Sequence, residues 1–257
     1  MGHGRPGSYV AAVPFFAQSG ARVNGLSLSS WFFLAFVVVG VPYGAVNTAR
    51  RTRSAEGPAA IPSRTHMHWN AMATQLLLFG IAWYAGLLQG LRFLGPVEVT
   101  PRDALAGAAA LALVSVMAGV SRVIRSEDER QRMWVLGFVP RTLREAVPYT
   151  ALAAVAAVSE ELTYRGVLFA MLAILTGNGI VAGVLSALAF AAAHIPQGAK
   201  SMGVIFVIAL VKQALVVFTH TLWIAIAVHF TYNVLAAVRM APQAREASPN
   251  APPAPPG

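Results

Sequence analysis

Seven long apolar blocks constrain the fold of this 257-residue chain more than any other feature. Hydrophobic residues make up 56% of the chain and charged residues 11%, well below the roughly 25% charged residues of soluble domains. A helix needs about 20 apolar residues to cross a bilayer core. We therefore predict an all-α, polytopic transmembrane helical bundle of about seven spans, within a range of six to eight. The blocks cover residues 30–46, 71–91, 104–121, 147–176, 180–195, 202–218 and 222–238.

The fourth block is too long for one straight span, because its 30 residues would reach roughly 45 Å as a helix. It must tilt strongly, break near Glu160 and Glu161, or extend beyond the bilayer. The fifth block is short, which suits a helix that ends in a water-filled cavity.

Lysine and arginine residues predict the orientation. Most of them fall on one side if the N-terminus is outside and the C-terminus is in the cytoplasm. The net charge of +9 then reflects basic cytoplasmic loops and not nucleic-acid binding. We predict an integral protein of a bacterial plasma membrane, oriented N-out and C-in, with the lipid bilayer as a partner and no nucleic acid.

The chain divides into five predicted segments. An apolar stretch at residues 9–17 is too short to span, and we interpret it as interfacial, with a weak signal-peptide core as the alternative. The segments are an N-terminal tail or interfacial segment (1–29), N-terminal transmembrane helices (30–122), a cytoplasmic loop with an amphipathic helix (123–146), a catalytic transmembrane core (147–240) and a disordered Pro-rich tail (241–257).

Of the ten carboxylates, only Glu160 and Glu161 lie within an apolar block. A charge at the bilayer centre costs at least about 2.5–3.5 kcal/mol, so both need compensation. Glu161 and Arg165 are four residues apart, in the favourable order for a helical ion pair. Glu160 points about 100° away around the helix and has no cation nearby in sequence.

Further polar residues interrupt the later blocks. His194 ends the fifth block, and His229 and Asn233 are one helical turn apart in the seventh. Lys212 lies in the middle of the sixth block, where it could face an aqueous cavity or pair with Glu160 or Glu161. Ionisable residues inside a membrane are functional candidates, and a structural polar network is the alternative.

These side chains fit water activation. A buried glutamate can act as a general base, and histidine and amide groups can bind water or stabilise an oxyanion. The chain has no cysteine, and no serine or threonine is paired with these groups at a motif spacing. Alternatively, Glu160, His194 and His229 could be three ligands of a catalytic zinc ion. The residues alone leave both mechanisms open.

Three short motifs resemble the signatures of the CPBP intramembrane proteases, the family of CAAX prenyl endopeptidases and bacteriocin-processing or Abi proteins. The family's signatures are EExxxR, FxxxH and HxxxN, and all three occur here in that order within roughly residues 140–240. They are EELTYR at 160–165, FAAAH at 190–194 and HFTYN at 229–233.

The resemblance implies a role for each matched residue. Glu160 would be the general base, and His194 would help to hold the water. His229 and Asn233 would form the oxyanion site. Glu161 and Arg165 would be supporting residues that orient the helix and the catalytic glutamate.

One position departs from the family pattern. The family's TGSLW-like lead into the last motif is THTLW here, so His220 stands where glycine is usual. We expect His220 to lie near the outer boundary and to take no part in catalysis.

We therefore predict an intramembrane endopeptidase, of glutamic or metalloprotease type, for a membrane-associated protein or peptide. We favour the metal-free mechanism, because Asn233 is a poor zinc ligand and a good oxyanion donor. No cofactor is certain, and zinc stays the alternative. Two other functions are a non-catalytic immunity or scaffold protein and an ion-coupled transporter, the latter weakened by the lack of an internal repeat.

Overall fold

The computed structural model describes residues 25–54, 63–91, 99–123, 125–126 and 134–246. Within these ranges the chain is helical and forms no β-strand, which confirms the all-α prediction. The predicted segment at 9–17 and the Pro-rich residues 248–257 lie outside the described residues. The α-helices are α1 (Leu28–Ala35), α2 (Val41–Ser54), α3 (Arg64–Leu88), α4 (Pro101–Val123), α5 (Leu143–Glu160), α6 (Phe169–Thr176), α7 (Gly179–Ala192), α8 (Ala199–Thr219) and α9 (Leu222–Glu246).

Segments of π-helix and 3₁₀-helix lie between some of these α-helices. A π-helical segment, Phe36–Gly40, joins α1 to α2, and a second one, Glu161–Leu168, joins α5 to α6. Short 3₁₀ helices occur at Trp134–Gly137 and Ile195–Gln197.

The predicted count of seven spans is not confirmed. Among the described residues, five helices are long and apolar enough to cross a membrane. The fifth block forms α7, whose 14 residues reach only about 21 Å. The helical path of the fourth block is not among the five either. The five helices are Leu28–Arg50, Arg64–Leu88, Pro101–Val123, Ala199–Thr219 and Leu222–Arg245.

The fourth block lies in one continuous helical path from Leu143 to Thr176. The path does not break at the two glutamates; it widens into the π-helical segment, whose eight residues are all buried. It begins earlier than the block, because the Thr142 side chain accepts a hydrogen bond from the backbone N–H of Glu145 and caps α5. The predicted boundary at 146–147 therefore falls inside α5. The amphipathic helix predicted before it is not a separate helix in the described residues.

The other helices pack around this path. Helices α3, α7, α8 and α9 all contact the π-helical segment, and α3 also packs along α5. A tight turn returns the chain from α6 to α7: Gly177 adopts a left-handed conformation, and the Asn178 side chain accepts hydrogen bonds from two backbone N–H groups of α7. Because of this turn, α7 packs beside α6 and its last turn reaches the interior of the bundle.

His220 ends α8 in a left-handed conformation, with φ of 55°. This backbone is unfavourable for residues with a Cβ atom and is readily adopted by glycine, which explains the glycine that is usual at this position. The side chain is exposed.

We expect His220→Gly to raise the free energy of unfolding by about 0.5–1 kcal/mol, because it removes the left-handed strain. The measurement is unfolding of the purified variants in detergent. His220→Ala is the matched control, since it also loses the imidazole but keeps Cβ. Equal stability of the two variants would contradict the strain argument.

Candidate active site

Glu161 lies at the centre of a buried polar network. Its Oε1 atom is 2.5 Å from Lys212 Nζ and 2.7 Å from His229 Nδ1, and its Oε2 atom is 3.4 Å from Arg165 Nε. Glu161 is fully buried, and its partners come from α8, from α9 and from its own π-helical segment. We call these four residues the Glu161 cluster. The predicted pairing of Glu161 with Arg165 is present, and Lys212 pairs with Glu161.

The phenylalanine of the FxxxH motif covers the two cations of the cluster. The Arg165 guanidinium carbon lies 4.1 Å from the centroid of the Phe190 ring, and Lys212 Nζ lies 5.2 Å from it. Such contacts stabilise cations that have lost water. The Tyr164 ring packs edge-on against the same phenylalanine, with 5.0 Å between centroids. Phe190 therefore belongs to the electrostatic environment of the site.

Glu160 has a different environment from its neighbour. Its Oε1 atom accepts a hydrogen bond of 2.7 Å from Gln75 Nε2. Its Oε2 atom lies 3.7 Å from His229 Nε2, which is too long for a direct hydrogen bond and suits a bridging water. The Glu160 side chain is 12% exposed, whereas that of Glu161 is fully buried. Of the two carboxylates, Glu160 is the one that water can reach.

Gln75 is a site residue that the sequence analysis missed. It comes from α3, which lies outside the region that carries the three motifs. The Ser159 hydroxyl donates to the backbone carbonyl of Gln75 at 2.8 Å and ties α3 to α5 beside the glutamates. The sequence did hold a signal for it, because a polar glutamine lies inside the second apolar block.

His194 lies just past the end of α7, and the last turn of that helix orients its ring. Its Nδ1 atom is 2.8 Å from the backbone carbonyl of Phe190, to which it donates, and the two rings pack with centroids 4.6 Å apart. The neutral ring then has Nε2 as an acceptor. Among the described residues His194 makes no hydrogen bond with Glu160.

A cavity of about 560 Å³ brings His194, His229 and Asn233 to one space. Lys212 also lines it, and Glu160 and Glu161 are not among the lining residues. The lining follows α9 from Val228 to Met240, about 18 Å at the helical rise. Apolar residues of α4 and α8 form much of the wall, and arginines line the end where α4 finishes. The cavity can thus admit an extended, largely apolar segment to the histidines.

The predicted zinc ligands are not assembled into one set. Over the described part of the chain, no three side chains of His, Asp or Glu are placed to hold a metal ion together. Glu160 and His229 face each other, and His194 is held by Phe190. No catalytic step is therefore assigned to a metal here.

We expect Gln75→Leu to lower kcat by about 10- to 100-fold, because Glu160 loses a charge-assisted hydrogen bond that orients it. Turnover by the purified variant measures this loss. Gln213→Met is the matched control, since Gln213 is also a buried glutamine and its side chain has no hydrogen-bond partner among the described residues. Equal activity of the two variants would contradict an orienting role for Gln75.

Residues 142–235 match the family model described as type II CAAX prenyl endopeptidase, Rce1-like. The matched region contains the three motifs and Lys212, and it excludes Gln75. The match confirms the resemblance that the motifs indicate. The comparisons with curated proteins and with solved structures gave no match.

Proposed function

We propose that this integral membrane protein is an intramembrane endopeptidase, because residues 142–235 match the family model described as type II CAAX prenyl endopeptidase, Rce1-like. It hydrolyses a peptide bond of a membrane-associated protein or peptide. The observation that carries the proposal is the pair formed by Glu160 and His229, which face each other across 3.7 Å beside the cavity.

Glu160 is the general base in this proposal. It takes one proton from a water molecule, whose oxygen attacks the carbonyl carbon of the scissile peptide bond. The protonated carboxyl group then gives that proton to the departing amine as the carbon–nitrogen bond breaks. The hydrogen bond from Gln75 supports this role, because it holds Oε1 and leaves Oε2 towards His229.

The other polar residues on the cavity wall complete the site. The resemblance implies that His194, which lines the cavity, helps to hold the water. The Asn233 amide donates to the oxyanion that forms on the substrate carbonyl. The resemblance implies that His229 shares this second task.

The substrate enters from the end of the bundle where α4 and α9 finish. The positive-inside distribution supports a cytoplasmic location for this end, with the N-terminus outside. Arg122 and Arg239 line the cavity there. The peptide segment that is cut would therefore approach from the cytoplasmic side of the membrane.

The immunity or scaffold alternative has one observation in its favour, because the Glu161 cluster ties three helices together without needing a substrate. One experiment separates the two functions. The termini of membrane proteins are compared between cells expressing the wild-type chain and cells expressing Glu160→Gln at the same level. We expect new termini only with the wild-type chain. Identical sets of termini would contradict the protease and leave the scaffold.

A further inference from the structure

Lys212 is a buried cation that belongs to none of the three motifs. It lies within α8 and is 3% exposed. Its Nζ atom is 2.5 Å from Glu161 Oε1 and 3.1 Å from His229 Nδ1. Burying a charged lysine this deep in an apolar helix costs free energy unless a counterion compensates its charge. The ion pair with Glu161 compensates the charge of Lys212. It does not explain why Lys212 Nζ also lies next to His229 Nδ1.

The hydrogen bonds around Glu161 determine where the proton of His229 lies. A carboxylate only accepts hydrogen bonds and an ammonium group only donates them. The contact of His229 Nδ1 with Glu161 Oε1, at 2.7 Å, is shorter than its contact with Lys212 Nζ, at 3.1 Å, and Nδ1 can form a hydrogen bond with only one of them. We therefore assign the proton to Nδ1, so that Nδ1 and Lys212 Nζ both donate to Oε1. In the neutral ring the other nitrogen, Nε2, then carries a lone pair and acts as an acceptor.

This proton position affects what His229 can do. Its Nε2 atom lies 3.7 Å from Glu160 Oε2, so two acceptors face each other. One water molecule between them can donate a hydrogen to each, which leaves its lone pairs free for attack. In this tautomer, Nε2 cannot donate to an oxyanion.

Arg165 competes with His229 for the same carboxylate. Its Nη1 and Nη2 atoms are buried and have no hydrogen-bond partner in the described part of the chain. Its one ionic contact with Glu161 joins Nε to Oε2 at 3.4 Å. Arginine and carboxylate groups favour bidentate pairing, which would rotate Glu161 towards Arg165 and away from His229. Lys212 holds Oε1 on the opposite side.

We infer that Lys212 is a positioning residue that keeps Glu161 Oε1 at His229 Nδ1, so that His229 Nε2 accepts a hydrogen from the attacking water beside Glu160. This inference rests on the proposed function for its catalytic meaning. In this inference His229 accepts a hydrogen bond from the attacking water, and Asn233 is the residue that donates to the oxyanion.

The first test needs no substrate. Full-length protein with ¹⁵N-labelled histidine is placed in lipid nanodiscs, and the nitrogen resonances of His229 are assigned by their loss in His229→Gln. We expect a single neutral tautomer with the proton on Nδ1 and none on Nε2. A proton on Nε2 would overturn the inference.

The second test changes Lys212. In Lys212→Met we expect the His229 proton to be shared between Nδ1 and Nε2, and kcat to fall about 10- to 100-fold with KM nearly unchanged. Lys212→Arg keeps a donor cation and should recover part of kcat and the single tautomer. If Lys212→Met does not fold, Lys212→Gln replaces it, with the same expectation. An unchanged tautomer in the neutral variants would overturn the inference, as would a loss of activity that appears only in KM.

The two tests separate this inference from the proposed function. If Glu160→Gln abolishes cleavage but wild-type His229 carries its proton on Nε2, the protease stands and the role of Lys212 falls. If the tautomer and its dependence on Lys212 are as expected but the wild-type chain cleaves nothing, the positioning stands and the protease falls.

Discussion

Glu160→Gln abolishes peptide cleavage while the protein stays folded, and we expect a loss of about 10²–10⁴-fold in kcat. The amide cannot take a proton from water. It has nearly the same shape as the carboxylate, and its oxygen can still accept the hydrogen bond from Gln75. The buried cations Lys212 and Arg165 pair with Glu161, so they keep their counterion in this variant. The measurements are cleavage by the purified variant and its unfolding in detergent.

Glu145→Gln is the control for this result, because it makes the same change at the start of α5. Glu145 Oε2 accepts a hydrogen bond from the backbone N–H of Arg141, far from the site. We expect this variant to keep its activity. Cleavage that persists in Glu160→Gln would contradict the assignment of the general base.

Glu161→Gln differs from Glu160→Gln in its effect on stability, because we expect it to destabilise the fold. The variant leaves Arg165 and Lys212 buried without a counterion, and breaking a buried ion pair from one side costs about 3–5 kcal/mol. We expect a reduction of this order in the free energy of unfolding, measured in detergent or by denaturant titration. Adjacent glutamates with the same substitution therefore give different results in stability, which we expect Glu160→Gln to keep and Glu161→Gln to lose.

The double variant Glu161→Gln/Lys212→Met tests the cause. It removes one anion and one cation, so we expect part of the lost stability to return. Energies of contacting residues are not additive, and the double-mutant cycle measures their coupling. The outcome that would contradict this cause is a double variant that is less stable than Glu161→Gln by as much as Lys212→Met alone is less stable than the wild type. The unpaired charge of Lys212 would then not be the source of the instability.

The sequence by itself determined the features that depend on local chemistry. Long apolar blocks required helices, and the four-residue spacing of Glu161 and Arg165 predicted their pairing because helix geometry relates such residues directly. The three motifs predicted the family from residue order alone.

Only the tertiary structure decided which distant side chains meet. Gln75 reaches Glu160 across 85 positions of sequence, and Lys212 reaches Glu161 across 51. Sequence spacing left both Glu160 and Glu161 open as partners of Lys212. The choice between them depends on how α8 is rotated against the π-helical segment, which the sequence does not show. The count of seven spans is not confirmed: the fifth block forms only the 14-residue α7, and the fourth continues through a buried π-helical segment. Helix formation follows from neighbours in the chain, whereas the partners of Glu160 and Glu161 follow from how separate helices pack.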